Sequence, residues 1–403
     1  MKIAAVVQRY GAEIVGGAER LCRGVVEGLA SRGHEVEVMT SCANSYRTWA
    51  NAYAEGLDDL DGVRVRRFRV EEERDMIAFN AASDELFGGA PDAEAQRAWV
   101  RAQGPYAPRL VDHLHAAAAD FDRLLFFTYL YYPTVHGIHV APERSVLVPT
   151  AHDEAPIYLA IYESVFALPA GMIFNTEAEA TFARRRFGRL PEAQEVIGVG
   201  IDTLDALSRG PESPENARSR EVGASIAPTP DSVPAALYAG RIEPGKGVAE
   251  MIDHVDRFRR QTGVPLRLWL IGEVAEPIPP TEWIDVLGYV DEDEKIRRMR
   301  EATILLSPSA LESFGIVVLE AMAAGTPPLV NAAAAAAVEH CRNANAGLYY
   351  HDYEEFSDAL GLLLADERLR ATMAKKGASY VQENYSWPRI VDRYEAFLLN
   401  LGS

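Results

Sequence analysis

Thr303-Ile-Leu-Leu-Ser-Pro-Ser-Ala-Leu-Glu-Ser-Phe-Gly-Ile-Val-Val-Leu-Glu-Ala-Met-Ala-Ala-Gly325 reads as strand, loop and helix. An apolar run leads into Glu312-Ser313-Phe314-Gly315, and an almost wholly apolar helical pattern then runs to Gly325. Gly315 lets a ligand approach the backbone closely. The amides of the first helical turn offer an anion a site in the loop. Glu320 is the only charge between Ile316 and Gly325, so it is either exposed or buried with a partner that satisfies it. A carboxylate can only accept hydrogen bonds, which makes a polyhydroxyl group such as a ribose a natural partner.

The same grammar recurs along the chain. Ala235-Ala-Leu-Tyr-Ala-Gly240 is a strand, Arg241-Ile-Glu-Pro-Gly-Lys-Gly247 a turn, and Val248 to Gln261 an amphipathic helix. At the start, a strand at Lys2–Val7 and a loop with Gly11, Gly16 and Gly17 precede a helix, Ala18–Ser31, and a strand, Glu35–Thr40. This is a βαβ unit with its glycine-rich turn at the strand's carboxyl end, where open α/β sheets bind ligands. The spacing is not Gly-x-Gly-x-x-Gly, so no dinucleotide fingerprint is present. Ser145–Thr150 is a further strand, with Ala151-His152-Asp153-Glu154 directly at its carboxyl end. Strands are also expected at 63–70, 123–129, 171–176, 266–271 and 286–290. Ser41–Gly62, carrying Tyr46, Trp49 and Tyr53, reads as a polar and aromatic loop, either an acceptor contact or packed on its own domain.

Glu312 and Glu320 with seven residues between them, followed by Ala-Met-Ala-Ala-Gly-Thr-Pro, resemble the signature of the family-4 (GT4) retaining glycosyltransferases. The resemblance implies an α/β chain of GT-B fold, two Rossmann-like domains facing each other across a cleft. The amino-terminal domain, 1–202, would bind the acceptor, 203–234 would be a linker or mobile loop, and 235–385 would bind the nucleotide-sugar. A carboxy-terminal helix, 386–403, would pack back on the first domain. Carried over residue by residue, Arg241 and Lys246 clamp the donor diphosphate. Gly16, Gly17 and the Ser313-Phe314-Gly315 backbone lie against the donor, Tyr289 and Val290 hold the base, and Glu320 takes the ribose. Glu312 orients the donor sugar. His152, with Asp153 beside it, stands near the reacting carbon. The chemistry needs such cations, because a departing diphosphate gains negative charge that a guanidinium and an ammonium can stabilise. The resemblance implies metal-independent, retaining transfer through front-face attack, with no cofactor beyond the donor substrate. Catalysis would follow closure of the cleft and exclusion of water.

Composition is compatible with this. The chain has 403 residues, 48% hydrophobic and 25% charged, enough for two domains with real cores. Its net charge of −19 argues against nucleic acid as a partner. The three cysteines form no motif, which favours a reducing, cytoplasmic setting. The apolar start stops at Gln8, too short for a signal peptide, and no stretch approaches the roughly 20 apolar residues that span a bilayer. Peripheral membrane contact stays open through Arg184-Arg185-Arg186, although a solvated helix face is the preferred reading of that run. His136 and His139 lack a third ligand, and Asp291-x-Asp293 reads as helix-terminus charge, so no metal site is assigned. Saccharide, lipid-linked and small-molecule hydroxyls are all open as acceptors. Two alternatives remain: a non-transferase relative such as a sugar-nucleotide epimerase, and a non-catalytic nucleotide-sugar-binding subunit. One departure from the family pattern is Ala332–Ala337, six alanines where members carry a varied, glycine-bearing loop.

Overall fold

Apolar runs without alternating polarity must be buried on both faces, and parallel sheets covered by helices provide that burial. In the computed structural model, which describes residues 1–14, 16–202, 233–275, 277–278 and 280–402, such runs form two sheets. The chain divides into two units, Met1–Gly200 with Trp387–Ser403 and Ile201–Ser386. Apart from Val233 and Pro234, the expected linker lies outside the described residues.

The first unit carries β1 (Lys2–Val6), β2 (Glu35–Ser41), β3 (Gly56–Leu60), β4 (Val63–Phe68), β5 (Arg123–Phe127), β6 (Ser145–Val148), β7 (Gly171–Phe174) and β8 (Ala193–Val196). Their order is β3-β4-β2-β1-β5-β6-β7-β8, and only the β3–β4 pair is antiparallel. The loops that follow β1, β5, β6 and β7 therefore emerge side by side at one edge. Strand β3 is an addition to the sequence reading. Gly-Leu-Asp-Asp-Leu has little strand propensity and is largely exposed. It forms because Asp61 (φ 54°) and Gly62 (φ 83°) turn it back onto β4, both with the positive φ of a tight hairpin turn. The aromatic part of the same loop packs on its own unit. Trp49 is fully buried, and its Nε1 donates to the Gln103 carbonyl at 2.8 Å.

Helix Trp387–Asn400 lies against helix Gly17–Ser31. A Cβ at Gly24 or Gly200 would sit 2.0 or 2.2 Å from the Trp387 ring, so small residues there admit the indole. Arg393–Glu195 (2.8 Å) and Arg32–Glu395 (2.8 Å) fasten the helix at its flanks. Within the basic run, Arg184 pairs with Glu177 and Arg186 with Glu163, both at 2.7 Å, so two of its three charges are neutralised locally.

The described strands of the second unit are all parallel: β9 (Ala235–Ala239), β10 (Arg267–Ile271), β11 (Ile284–Gly288), β12 (Ile304–Ser307), β13 (Pro328–Asn331) and β14 (Leu348–Tyr350), in the order β11-β10-β9-β12-β13-β14. Strand β11 begins and ends two residues before its expected place. Gly288, at φ 68°, closes it and leaves Tyr289 in the following loop. Helix Ile316–Ala324 has no polar face and is buried, ending at Gly325 with φ 87°. The alanine run splits. Asn331 Oδ1 accepts from Ala333 N at 2.9 Å, and the helix begins only at Ala335. Among the described residues no helix is long and apolar enough to cross a membrane.

Candidate active site

In the second unit, β9 and β12 are neighbours, so the turn after one and the loop after the other are brought together. Lys246 Nζ donates to Glu312 Oε1 at 3.0 Å, joining residues 66 apart in sequence. Arg241 Nη2 lies 3.3 Å from Glu243 Oε1 and its side chain is exposed. The turn is held from beneath by Tyr238, whose hydroxyl donates to the Arg241 carbonyl at 2.7 Å. Burial, then the nearby Glu312 and Glu243, push the Tyr238 pKa well up, so this hydroxyl stays a donor. Gly247 has φ 72°, and a Cβ there would stand 2.9 Å from the Pro308 carbonyl. Asn331 Nδ2 donates to that same carbonyl at 3.1 Å. Three loops at the carboxyl edge are thus tied at Pro308.

The Glu312–Gly315 loop is braced from behind. Phe314 is buried, its ring edge-on to His340 (5.0 Å) and Tyr385 (5.5 Å), so only its backbone can serve a ligand. His340 is fully buried, with Nε2 2.9 Å from the Phe314 carbonyl and Nδ1 3.1 Å from the Tyr380 hydroxyl. A carbonyl only accepts, so Nε2 carries the proton, and the neutral ring accepts from Tyr380 at Nδ1. Burial lowers the His340 pKa to about 4, against the opposing Phe314 bond. Gly315 takes φ 81° and caps helix Ile316–Ala324 without any side chain on its amides. A Cβ on Gly315 would lie 3.7 Å from Ala337, so the alanine run supplies close packing behind the loop.

Glu320 is 2% exposed. Both its oxygens accept from Lys295 Nζ at 3.1 Å, and Lys295 also pairs with Glu292 at 2.9 Å. Sequence reasoning left the partner open and missed Lys295. The lysine stands on helix Glu292–Glu301, whose amino end is capped by Asp291 accepting from Glu294 N at 2.8 Å. Tyr289 is 75% exposed at the end of β11, and Val290 follows it half-buried.

In the first unit, Gly16 caps helix Gly17–Ser31, and the space a Cβ would fill is taken by the Glu19 carboxylate at 2.0 Å. Glu19 is itself buried and binds Arg9 at 2.5 Å and Gln8 at 2.9 Å. Neither Glu19 nor Arg9 was singled out from sequence, although Glu19 stands in the Gly-Gly-Ala-Glu-Arg run. Val15 lies outside the described residues. His152 Nε2 is 3.4 Å from Glu154 Oε2, while its Nδ1 is buried without a partner among the described residues. Glu154 also accepts from the Tyr129 hydroxyl at 2.6 Å. The carboxylate beside His152 is therefore Glu154 and not Asp153, which is exposed and accepts from Tyr158 at 2.7 Å. The sequence could not separate these two neighbours, because which acid faces the imidazole depends on the turn after Thr150, itself at φ 50°.

The family Glycosyl transferases group 1 matches residues 224–380, and Glycosyltransferase Family 4 matches residues 15–204. An uncharacterized glycosyltransferase of Methanocaldococcus jannaschii is 25% identical over 405 residues, covering 97% of this chain and 96% of its own. A D-inositol 3-phosphate glycosyltransferase of Xylanimonas cellulosilytica is 27% identical over 384 residues, covering 89% and 85%. Among solved structures, the trehalose-6-phosphate synthase OtsA has a TM-score of 0.73 at 15% identity over 99% of both chains. HepE of Anabaena, in complex with UDP and glucose, has a TM-score of 0.66 at 17% identity over 100% of both. With two sheets of this topology and these matches along its length, the chain belongs to the family-4, group 1 glycosyltransferases of GT-B fold, and is a transferase enzyme.

Proposed function

We propose that the enzyme takes a sugar from a nucleotide diphosphate-sugar and transfers it, with retention and without a metal ion, to a hydroxyl acceptor. The observation that carries this reading is the Lys246–Glu312 pair at 3.0 Å, set beside the uncapped helix end at Gly315. An ammonium and free amides at one point suit the charge that builds on a departing diphosphate. Arg241, 3.3 Å from Glu243, adds a planar, fork-shaped donor. Glu312 then has two roles. It holds the ammonium until the donor arrives, and it accepts from the sugar hydroxyls once phosphate oxygens take Lys246 over.

Glu320 receives the ribose hydroxyls, and Tyr289 offers an exposed ring to the base. Ser313, Phe314 and Gly315 contribute backbone groups, and Gly16 and Gly17 add neutral dipoles from the first unit. The first unit also binds the acceptor, with His152 near the reacting carbon. No side chain is assigned as covalent nucleophile. The acceptor oxygen attacks the face that the diphosphate leaves, through an oxocarbenium-like state, and a phosphate oxygen takes its proton. The complex of HepE with UDP and glucose makes UDP-sugars the first donors to try.

The test is a thermal-shift screen of UDP-, GDP-, ADP- and dTDP-sugars in EDTA, followed by product analysis with the donor that stabilises. A ligand at a hundred times its Kd raises apparent stability by about 2.7 kcal/mol. Free nucleotide with sugar transferred to acceptor or water, anomeric configuration kept, is expected. Epimerised nucleotide-sugar as the sole product would reject the transferase reading.

A further inference from the structure

Glu179 lies outside the residues assigned above, yet it is the most unusual carboxylate of the first unit. It is 4% exposed, and among the described residues no cation pairs with it. A buried charge without a counter-ion is retained only when hydrogen bonds satisfy it. Here Oε1 accepts from Ala151 N at 2.6 Å and Oε2 from Asn175 N at 2.7 Å. Burial pushes its pKa up to about 8, although bonds from the Asn175, Ala151 and Thr176 backbones pull the other way.

Part of this is local. Thr176 caps helix Glu177–Arg186 by accepting from Glu179 N at 3.1 Å. Thr176-Glu-Ala-Glu179 is thus a capping box, in which the third helical residue reaches back toward the cap. A capping box does not require the Ala151 bond, which crosses 28 residues to the loop after the neighbouring strand β6. That amide lies between Thr150, at φ 50°, and His152. A non-glycine residue keeps such a backbone only where its surroundings hold it.

We infer that Glu179 is a positioning residue, which fixes the backbone at Ala151 so that His152 stands correctly for transfer. This rests on the proposed role of His152. Glutamine at 179 can still close the capping box, but its amide nitrogen would face a backbone N–H where an oxygen now accepts.

The test uses the full chain and the nucleotide-sugar donor found by thermal shift, and reads donor turnover as kcat and KM. Glu179→Gln is expected to lower kcat about 10- to 100-fold, as misplacement of a reacting group does, with donor KM unchanged. Thr176→Val removes the helix cap without touching the Ala151 bond and should keep wild-type kcat. In a His152→Ala background, Glu179→Gln should cost nothing more, because coupled residues are not additive. If Glu179→Gln does not accumulate folded, Glu179→Asp, which keeps the carboxyl group but shortens its reach, replaces it in the cycle. Wild-type kcat in the Glu179 variant, or its full loss repeated without His152, would overturn the inference alone. An unimpaired His152→Ala enzyme would instead remove the His152 role, and the inference with it.

Discussion

Glu320 and Lys295 show how one residue's environment decides what its substitution does. The carboxylate is buried and the ammonium partly so, and removing one member of such a pair strands the other in a medium that solvates it poorly. Lys295→Met is therefore expected to destabilise the second unit by about 3–5 kcal/mol, read from urea denaturation. A shift in midpoint no larger than that of an exposed-surface substitution would contradict the pairing. His340 carries a pH signature. Its pKa is 6.5 unfolded and about 4 folded, so the unfolded chain binds the proton first. The stability it contributes is fully present above pH 6.5 and is lost as pH falls toward 4. The loss is about 3 kcal/mol for a shift of this size. Thermal melts of wild type against His340→Gln should converge through that window, and parallel pH profiles would refute the neutral imidazole.

At the scale of elements, the strand–loop–helix of 303–325 was legible because its apolar run, its lone Gly315 and its apolar helix each have one structural solution. The observed β12 and helix Ile316–Ala324 fall inside the quoted stretch. The hairpin strand β3 was not legible. Its residues are Gly, Leu and Asp, and it is paired only because the Asp61–Gly62 turn returns it to β4. Alanine propensity favoured helix across 332–337. The Asn331 side chain instead holds the first part as a turn, and tertiary contact at Pro308 overrides propensity. Helix Glu292–Glu301 brings Lys295 to Glu320, and its cap is the single bond that Asp291 accepts from Glu294 N. Asp291→Ala should cost about 1 kcal/mol of stability, read from the urea midpoint. An unchanged midpoint would show that the cap contributes nothing.

Across the whole molecule, what sequence cannot show is pairing between distant segments. Lys246 and Glu312 were each visible in a motif, but not that one donates to the other. Glu179 and Glu19 stayed unread for a related reason, since a buried carboxylate is recognised only when the backbone amides or guanidinium around it are known. A chain of net charge −19 that binds a diphosphate must concentrate its few useful cations, and the proposal gives that task to Lys246 and Arg241. Transfer should accordingly persist in EDTA. Complete loss, restored by Mn²⁺, would overturn the metal-free reading.

The most direct measurement is calorimetric titration of nucleoside diphosphate, UDP first, into wild type and Lys246→Ala in the presence of EDTA. Loss of a hydrogen bond to a charged group, about 1.5–3 kcal/mol, should weaken binding at least about tenfold in the variant, with its fold intact by circular dichroism. Equal affinity in the two proteins would contradict the account.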